Sequence, residues 1–224
     1  MEIPRTLFAV TGKHAGVDFE DFRFDFPAFG AAQKSGELGA ENMNRVPLLV
    51  HNGTTIGQGP SICRYLARNL GLFGTTESES AIIDNICEHI TETGTAFGKV
   101  MPYGNDFTAS KKAEVLDKWF DTAADVERAD RAFRWHLAHV EKMVGADGYS
   151  FGTGYTLADA KIYNAFGDVC LLASGVTSHP FGAEEGRCGK VLSEEFPKVF
   201  KIVETFKNSP GMKKYLDARG VQGF

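Results

Sequence analysis

The stretch from Asn44 to Leu70 constrains the fold of this chain most strongly, because it specifies a strand, a tight turn, a second strand and a helix. Leu48 to Val50 is a short apolar run, and Asn52-Gly53 supplies two residues that tolerate positive φ in a hairpin turn. Pro60 then stands in the first turn of a helix predicted from Gln58 to Leu70. A helix N-terminus presented in this way offers free N–H groups and a partial positive charge, which favour a carboxylate or phosphate ligand.

These residues resemble the cytosolic glutathione transferase superfamily, and most closely its sigma-like, tyrosine-type branch. The thioredoxin-like domain of that family carries a Val-Pro turn with a cis proline, a hairpin, and a Gln/Glu-Ser pair that opens a helix. The corresponding residues here are Val46-Pro47, Asn52-Gly53 and Gln58-Gly59. Two later blocks are also similar to the family: residues 154–160, with its Thr-x-Ala-Asp signature, and residues 209–219.

The resemblance implies an α/β thioredoxin-like N-terminal domain over residues 1–71 and an all-α C-terminal helical domain over residues 77–224. Residues 2–13 pattern as the family's first helix, and residues 16–24 resemble its second strand. Residues 27–43 are rich in Gly and Ala with little periodicity, which predicts a loop with at most one short helical turn. The family's first strand would precede the present chain, so we expect the native polypeptide to begin earlier.

The C-terminal part is predicted to be helical by apolar periodicity. A helix from Thr76 to Val100 opens on a capping box formed by Thr76 and Glu79. A second long helix is predicted from about Ala109 to Val144, with a polar middle from Asp121 to Asp130 where a bend is expected. A second capping box, from Thr156 to Asp159, opens the next helix. Residues 174–189 are predicted to form a Gly-rich loop. The segments that begin at Phe196 and Ser209 resemble the last two helices of the family.

The resemblance also implies which residues would hold glutathione. The backbone of Val46, held by Pro47, would pair with the cysteine of glutathione as an added strand would; a plain turn proline is the alternative. Arg45 would lie near the glycine carboxylate, with a surface charge as the equally weighted alternative. Lys34 matches a family lysine that also contacts glutathione, and its alternative is a solvated loop lysine.

The γ-glutamyl end of glutathione would meet the start of the helix that follows the hairpin. Gln58 would accept a hydrogen bond from the γ-glutamyl ammonium, with an ordinary polar residue at a helix start as the alternative. Gly59 replaces the family serine, so its N–H is retained and the hydroxyl is lost. We expect Ser61 to supply the missing hydroxyl. Glu92 matches an acidic residue that reaches across a dimer interface to the partner's glutathione, with an ordinary surface glutamate as the alternative.

No catalytic residue is assigned. In the tyrosine branch, a hydroxyl at the end of the first strand donates to the sulfur of glutathione and stabilises the thiolate nucleophile. The tyrosines of this chain all lie elsewhere, namely Tyr65, Tyr103, Tyr149, Tyr155, Tyr163 and Tyr215. An apolar pocket for the second substrate is predicted from Phe97, Met101, Tyr103 and Phe224, with core packing as the alternative for Phe97 and Met101.

Charge and cysteine spacing restrict the function classes. A net charge of −5 gives no attraction for nucleic acid, and no apolar run approaches the ~20 residues of a membrane span. The four cysteines (Cys63, Cys87, Cys170 and Cys188) lack CxxC or metal-ligand spacing, which favours reduced thiols in a cytoplasmic protein. An organelle is the alternative if a targeting segment has been removed. His136 and His139 have no further ligands at suitable spacing, so a solvated pair is predicted rather than a metal site.

Two functions from different classes follow. The first is a glutathione S-transferase-like enzyme that binds glutathione and conjugates or isomerises a small apolar electrophile. The second is a non-catalytic structural or assembly subunit of the same superfamily, which the glycine at position 59 and the absent first strand favour. Both predict a homodimer or a larger assembly, with the helix from Thr76 to Val100 at the contact.

Overall fold

The computed structural model of the 224-residue chain describes residues 20, 22, 24–102, 104–167 and 185–219. The predicted helix over residues 2–13 lies outside this part of the chain, as do Tyr103 and Phe224. Residues 20, 22 and 24 belong to no strand, and the rest of the strand predicted over residues 16–24 also lies outside the description.

A helix and a two-stranded hairpin precede a series of helices. Within the described residues the order is α1 (Phe26–Ser35), β1 (Leu48–His51), β2 (Thr54–Gly57), α2 (Gly59–Asn69), α3 (Glu77–Val100), α4 (Ala109–Asp121), a 3₁₀ helix (Arg128–Asp130), α5 (Phe133–Met143), α6 (Leu157–Ile162), a π-helix (Tyr163–Gly167), α7 (Glu185–Glu195), α8 (Pro197–Lys207) and α9 (Pro210–Arg219). None of the described helices combines the length and the apolar character that crossing a membrane requires.

The hairpin and α2 confirm the sequence prediction. Strand β1 pairs antiparallel with β2, and Asn52 and Gly53 at the turn have φ values of 50° and 75°. Helix α2 ends where Gly71 adopts a φ of 70°, and the Leu72 N–H then donates to the Ala67 carbonyl at 2.8 Å. This bond satisfies a carbonyl that the last helical turn leaves without a partner.

The loop predicted over residues 27–43 is wrong at its start, because α1 occupies Phe26–Ser35. The Asp25 side chain caps the helix by accepting from the Ala28 N–H at 2.7 Å, and Gly36 ends it with a φ of 76°. Ala32 is the buried residue of this helix, so its sequence carries no apolar periodicity to detect. Capping residues, rather than a buried face, specify this helix.

The helix predicted from Ala109 to Val144 is wrong as one continuous element, but its interruption lies at the polar middle where the sequence predicts a bend. Helix α4 stops at Asp121, and α5 starts at Phe133. Residues 121–131 are all exposed or half-buried, so no apolar face holds a helix to the core over that stretch. Burial resumes at Ala132 and Phe133, which are 5% and 0% exposed, and the helix resumes at Phe133.

The loop predicted over residues 174–189 is wrong for residues 185–189, which belong to helix α7. Residues 174–184 lie outside the described part of the chain. Helix α7 also carries Cys188, which is fully buried and disulfide-bonded. The expectation of reduced cysteines is therefore wrong for Cys188, whereas Cys63 and Cys87 are free and buried as expected.

Helix α6 is central in the helical part, in contact with α2, α3 and α8. At its start, the Leu157 N–H donates to the Leu72 carbonyl at 2.8 Å, which ties the core to the linker after α2. The N-terminus of α8 is capped from another helix, because the Glu141 carboxylate accepts from the N–H groups of Lys198 and Val199 at 2.9 and 3.0 Å. The second contact satisfies N–H groups at a helix end that has no capping side chain of its own.

The predicted capping box of Thr156 and Asp159 is confirmed, and the Asp159 carboxylate in it is fully buried. Its carboxylate accepts from the N–H and hydroxyl of Thr156, both at 2.7 Å, and from the N–H and hydroxyl of Ser150, at 2.7 and 2.8 Å. Asp159 has no exposed surface, and Ser150 and Thr156 are buried with it. One side chain therefore joins the loop before α6 to the first turn of that helix.

We expect Asp159→Ala to lower the free energy of unfolding by about 2–4 kcal/mol, because it leaves two backbone N–H groups buried without an acceptor. Urea unfolding followed by circular dichroism measures this loss. The matched control is Asp147→Ala, which removes an exposed carboxylate from the same loop and should change the free energy by less than about 0.5 kcal/mol. Equal effects of the two substitutions would contradict a structural role for the buried carboxylate.

Candidate functional site

An open backbone edge lies at Val46. The Val46–Pro47 peptide bond is cis, as the sequence predicted. Asn42 Nδ2 donates to the Arg45 carbonyl at 3.2 Å and to the Pro47 carbonyl at 3.1 Å. Within the described part of the chain, neither the N–H nor the C=O of Val46 itself makes a hydrogen bond. Val46 thus keeps a donor and an acceptor available to an extended peptide.

The N-terminus of α2 forms a second open element. The first helical bond runs from the Ile62 N–H to the Gln58 carbonyl at 3.0 Å, so the N–H groups of Gly59 and Ser61 have no partner within the helix. No side chain caps this end, and Pro60 contributes no N–H. Gly59 is buried and Ser61 is exposed. Free donors and the helix dipole together favour an anionic group here.

Gln58 joins these two elements in a strained conformation. Its φ of 65° and ψ of 116° lie outside the regions that residues with a Cβ atom commonly adopt. Its side chain is exposed and makes no capping hydrogen bond. Backbone strain of this kind is concentrated at ligand clamps and active sites, where the surrounding structure enforces it. The observed geometry therefore marks Gln58 as a functional candidate independently of the sequence motif.

The loop before the cis turn packs closely against the end of β2. A Cβ atom on Gly57 would come within 2.6 Å of Asn42 Cβ and 2.7 Å of the Glu41 carbonyl oxygen, so this contact requires glycine. Arg45 is exposed, and its Nε donates to the Asn42 carbonyl at 3.2 Å. The packing brings Arg45, Val46 and Pro47 beside the segment that leads into Gln58.

The remaining predicted site residues lie on helices. Lys34 is exposed in the last turn of α1, next to Gln33, whose Nε2 donates to the Asn44 carbonyl at 3.4 Å. The helix that carries Lys34 is thus tied to the loop that carries Arg45. Glu92 is exposed on α3, with His89 Nδ1 at 3.6 Å from its carboxylate, and among the described residues it makes no hydrogen bond or ion pair with the hairpin or the cis turn.

No described side chain is assigned to activate a thiol. Burial raises the pKa of Cys63 and of Cys87 to about 12, so neither thiol forms a thiolate at neutral pH. The Tyr65 hydroxyl lies 2.7 Å from His51 Nδ1 on β1, and the Tyr155 hydroxyl donates to the Thr205 carbonyl at 3.1 Å. Both hydroxyls are engaged within the protein.

Two other predictions are modified by burial. His136 is 6% exposed and packs against the Trp119 ring, so the solvated histidine pair is wrong for that residue; burial also lowers its pKa. Across the described ranges, no three His, Cys, Asp or Glu side chains are grouped to hold a metal ion. Phe97 is 2% exposed and contacts the Trp119 ring edge-on, which places it in the core rather than in an open pocket.

The sequence predictions missed Asn42 and the role of Gly57. An asparagine a few residues before a Val-Pro turn is one possible signal, since its short amide can bond to nearby backbone groups. Glycine at the end of a strand is a second signal, because it often marks a close backbone approach. Neither signal specifies the partner.

Comparison with known proteins gives consistent relatives along the whole chain. Residues 121–219 match the family model described as "Glutathione S-transferase, C-terminal domain". Glutathione S-transferase 1 of Ascaris suum is 31% identical over 210 residues, which cover 92% of this chain and 86% of that protein. S-crystallin SL11 of Nototodarus sloanii is 25% identical over 225 residues, with coverage of 100% and 93%.

The fold agrees with solved structures of the same group. The glutathione S-transferase of Ascaris lumbricoides superposes with a TM-score of 0.70, covering 100% of this chain and 96% of that one, at 21% identity. Identity at that level shows the fold alone. The comparison confirms a thioredoxin-like N-terminal domain followed by an all-helical C-terminal domain.

We expect Gln58→Gly to be more stable than Gln58→Ala by about 1 kcal/mol, because glycine has no Cβ atom to oppose the positive φ. Both substitutions remove the side chain, so their difference isolates the backbone strain. At Lys112, an exposed position of α4, the same pair should differ in the opposite direction, with alanine more stable by about 1 kcal/mol. Thermal unfolding measures both differences. Equal stabilities of Gln58→Gly and Gln58→Ala would contradict backbone strain at position 58.

Proposed function

Because the chain belongs to the glutathione S-transferase superfamily, we propose that it binds glutathione and conjugates or isomerises a small apolar electrophile. The observation that carries this proposal is the open backbone edge of Val46 beside the free N–H groups of α2. An extended tripeptide with a carboxylate at each end fits these two elements. The backbone of Val46 can pair with the main chain of the tripeptide, and the N-terminus of α2 attracts a carboxylate.

In this proposal the cysteine of glutathione pairs with the N–H and C=O of Val46. The γ-glutamyl carboxylate lies at the N-terminus of α2, where it accepts from the Gly59 N–H and the Ser61 hydroxyl. Gln58, exposed at the junction, accepts from the γ-glutamyl ammonium.

The glycine carboxylate of glutathione lies toward the exposed cations Arg45 and Lys34. Arg45 is the better oriented of the two, because its Nε bond to the Asn42 carbonyl fixes the guanidinium at the cis turn. Lys34 adds a second positive charge, on the helix that a hydrogen bond from Gln33 attaches to the same loop.

Chemistry in this proposal belongs to the thiol of glutathione, since the thiolate is the attacking group. The protein would orient the tripeptide and hold the electrophile close to the sulfur. The buried thiols of Cys63 and Cys87, with pKa values of about 12, are unsuited to act as nucleophiles.

A homodimer through the exposed face of α3 is part of the same proposal. Ile82 is 45% exposed on that helix, and Glu92 is exposed farther along it. In the described part of the chain, Glu92 forms no hydrogen bond or ion pair with its own hairpin, so a role at a glutathione site requires the second subunit.

A non-catalytic structural subunit is the second candidate. Two observations favour it: glycine at position 59 in place of a serine, and the similarity to an S-crystallin along the whole chain. This candidate predicts no turnover, with or without residual glutathione binding.

Retention on immobilised glutathione tests the proposal, and Ser61→Ala sharpens it. We expect the wild-type protein to be retained and eluted by free glutathione, and Ser61→Ala to bind about fivefold more weakly, since one hydrogen bond contributes roughly 1 kcal/mol. Isothermal titration calorimetry gives the dissociation constants. Ser78→Ala, an exposed serine in the first turn of α3, is the control and should leave them unchanged.

Absence of wild-type retention would overturn the glutathione-binding proposal. Binding without turnover of any apolar electrophile would support the structural candidate. An unchanged constant in Ser61→Ala would mean that the hydroxyl lost at position 59 has no substitute at this helix start.

We expect light scattering at micromolar concentration to give the mass of two 24.4-kDa chains. Ile82→Glu should shift the protein toward monomer, because it places a charge in an apolar contact. Val50→Glu is the matched control, since Val50 is 70% exposed and lies on β1 of the hairpin instead of on α3. A monomeric wild-type protein would contradict both the dimer and the role of Glu92.

A further inference from the structure

We propose that Asn42 is a positioning residue that holds the backbone of Val46 open toward the peptide ligand; this rests on the proposed glutathione site. Asn42 is 4% exposed, and its Nδ2 donates to the carbonyls of Arg45 and Pro47 at 3.2 and 3.1 Å. These are the two carbonyls that flank Val46 in the chain. The side chain fixes the turn from both sides and leaves the polar groups of the middle residue unused.

The orientation of the Asn42 amide is set by these contacts. Two carbonyl oxygens near 3 Å require the nitrogen of the amide to face them, since the reversed orientation would bring three acceptors together. Asn42 Oδ1 is buried and has no hydrogen-bond partner among the described residues. An asparagine with an unpaired acceptor contributes here through its donors.

Asn42 also links the two elements of the site. Its own carbonyl accepts from Arg45 Nε at 3.2 Å, and a Cβ atom on Gly57 would come within 2.6 Å of its Cβ. Gly57 directly precedes the strained Gln58 and the N-terminus of α2. The spacing between the Val46 edge and that helix end therefore depends on the position of Asn42.

The prediction is specific to the main-chain bonds of the ligand. A depsipeptide analogue of glutathione, with an ester oxygen in place of the cysteinyl N–H, cannot donate to the Val46 carbonyl. We expect wild-type protein to bind this analogue about five- to tenfold more weakly than glutathione, the effect of one hydrogen bond. In Asn42→Ala, glutathione should bind about tenfold more weakly, and the two ligands should differ by less than twofold.

Asn44→Ala is the matched control. It removes an amide from the same loop, but the bond of Asn44 Nδ2 reaches the Gln33 carbonyl instead of the residues beside Val46. This variant should retain the full difference between glutathione and the analogue, whatever its effect on stability. Asn42→Asp serves as a second test variant, because it keeps the shape of Asn42 and loses both donated bonds; it should behave like Asn42→Ala.

Calorimetry with the two ligands separates the outcomes. If the wild-type protein binds neither ligand, the proposed function fails and the inference falls with it. If the wild-type protein distinguishes the ligands and both Asn42 variants distinguish them equally well, the inference is overturned while glutathione binding stands. Loss of the difference in the Asn42 variants, with the difference retained in Asn44→Ala, supports the positioning role.

Discussion

The buried carboxylate of Asp159 joins the loop before α6 to the first turn of that helix, and the core of the helical part depends on this connection. The carboxylate is fully buried, and it accepts four hydrogen bonds from Ser150 and Thr156. A buried charge is tolerated only when its hydrogen-bonding capacity is filled, and here it is. The loop before α6 and the first turn of α6 are thereby fixed relative to each other, and α6 in turn contacts α2, α3 and α8.

The position of the candidate site follows from that core. The Leu157 N–H donates to the Leu72 carbonyl directly after α2, so the end of α2 is attached at the start of α6. Arg64 and Asp84 join α2 to α3 at 2.7 Å, but both side chains are partly exposed, and such pairs contribute little on their own. Apolar burial and the backbone contact therefore fix the helix whose N-terminus would receive the ligand.

The site itself departs from unstrained geometry at a few neighbouring residues. Gln58 has a positive φ, Gly57 allows a contact that no side chain would permit, and Asn42 keeps a buried acceptor unpaired. Backbone strain of this kind is concentrated at ligand-binding and active sites, which is why these residues support the proposed site. The chain belongs to the glutathione S-transferase superfamily, and none of the described side chains is assigned to activate a thiol.

The sequence by itself determined the elements whose signals are local. The Asn-Gly turn, the Pro60 helix start and the two capping boxes each act within a few residues, and the structure contains all of them. The motif around Val46-Pro47 and Gln58-Gly59 is also sufficient to indicate the superfamily. These predictions succeeded because backbone preference and capping do not depend on distant parts of the chain.

Tertiary structure decided what depended on burial and on long-range packing. The break between α4 and α5 follows from the absence of a buried face over residues 121–131, and α1 exists without apolar periodicity. His136 is buried against Trp119, and Gly57 contacts Asn42, so both arrangements depend on residues that are separated in the sequence. The local sequence around a residue indicates its backbone preference, but the residues that it contacts are set by the packing of the whole chain.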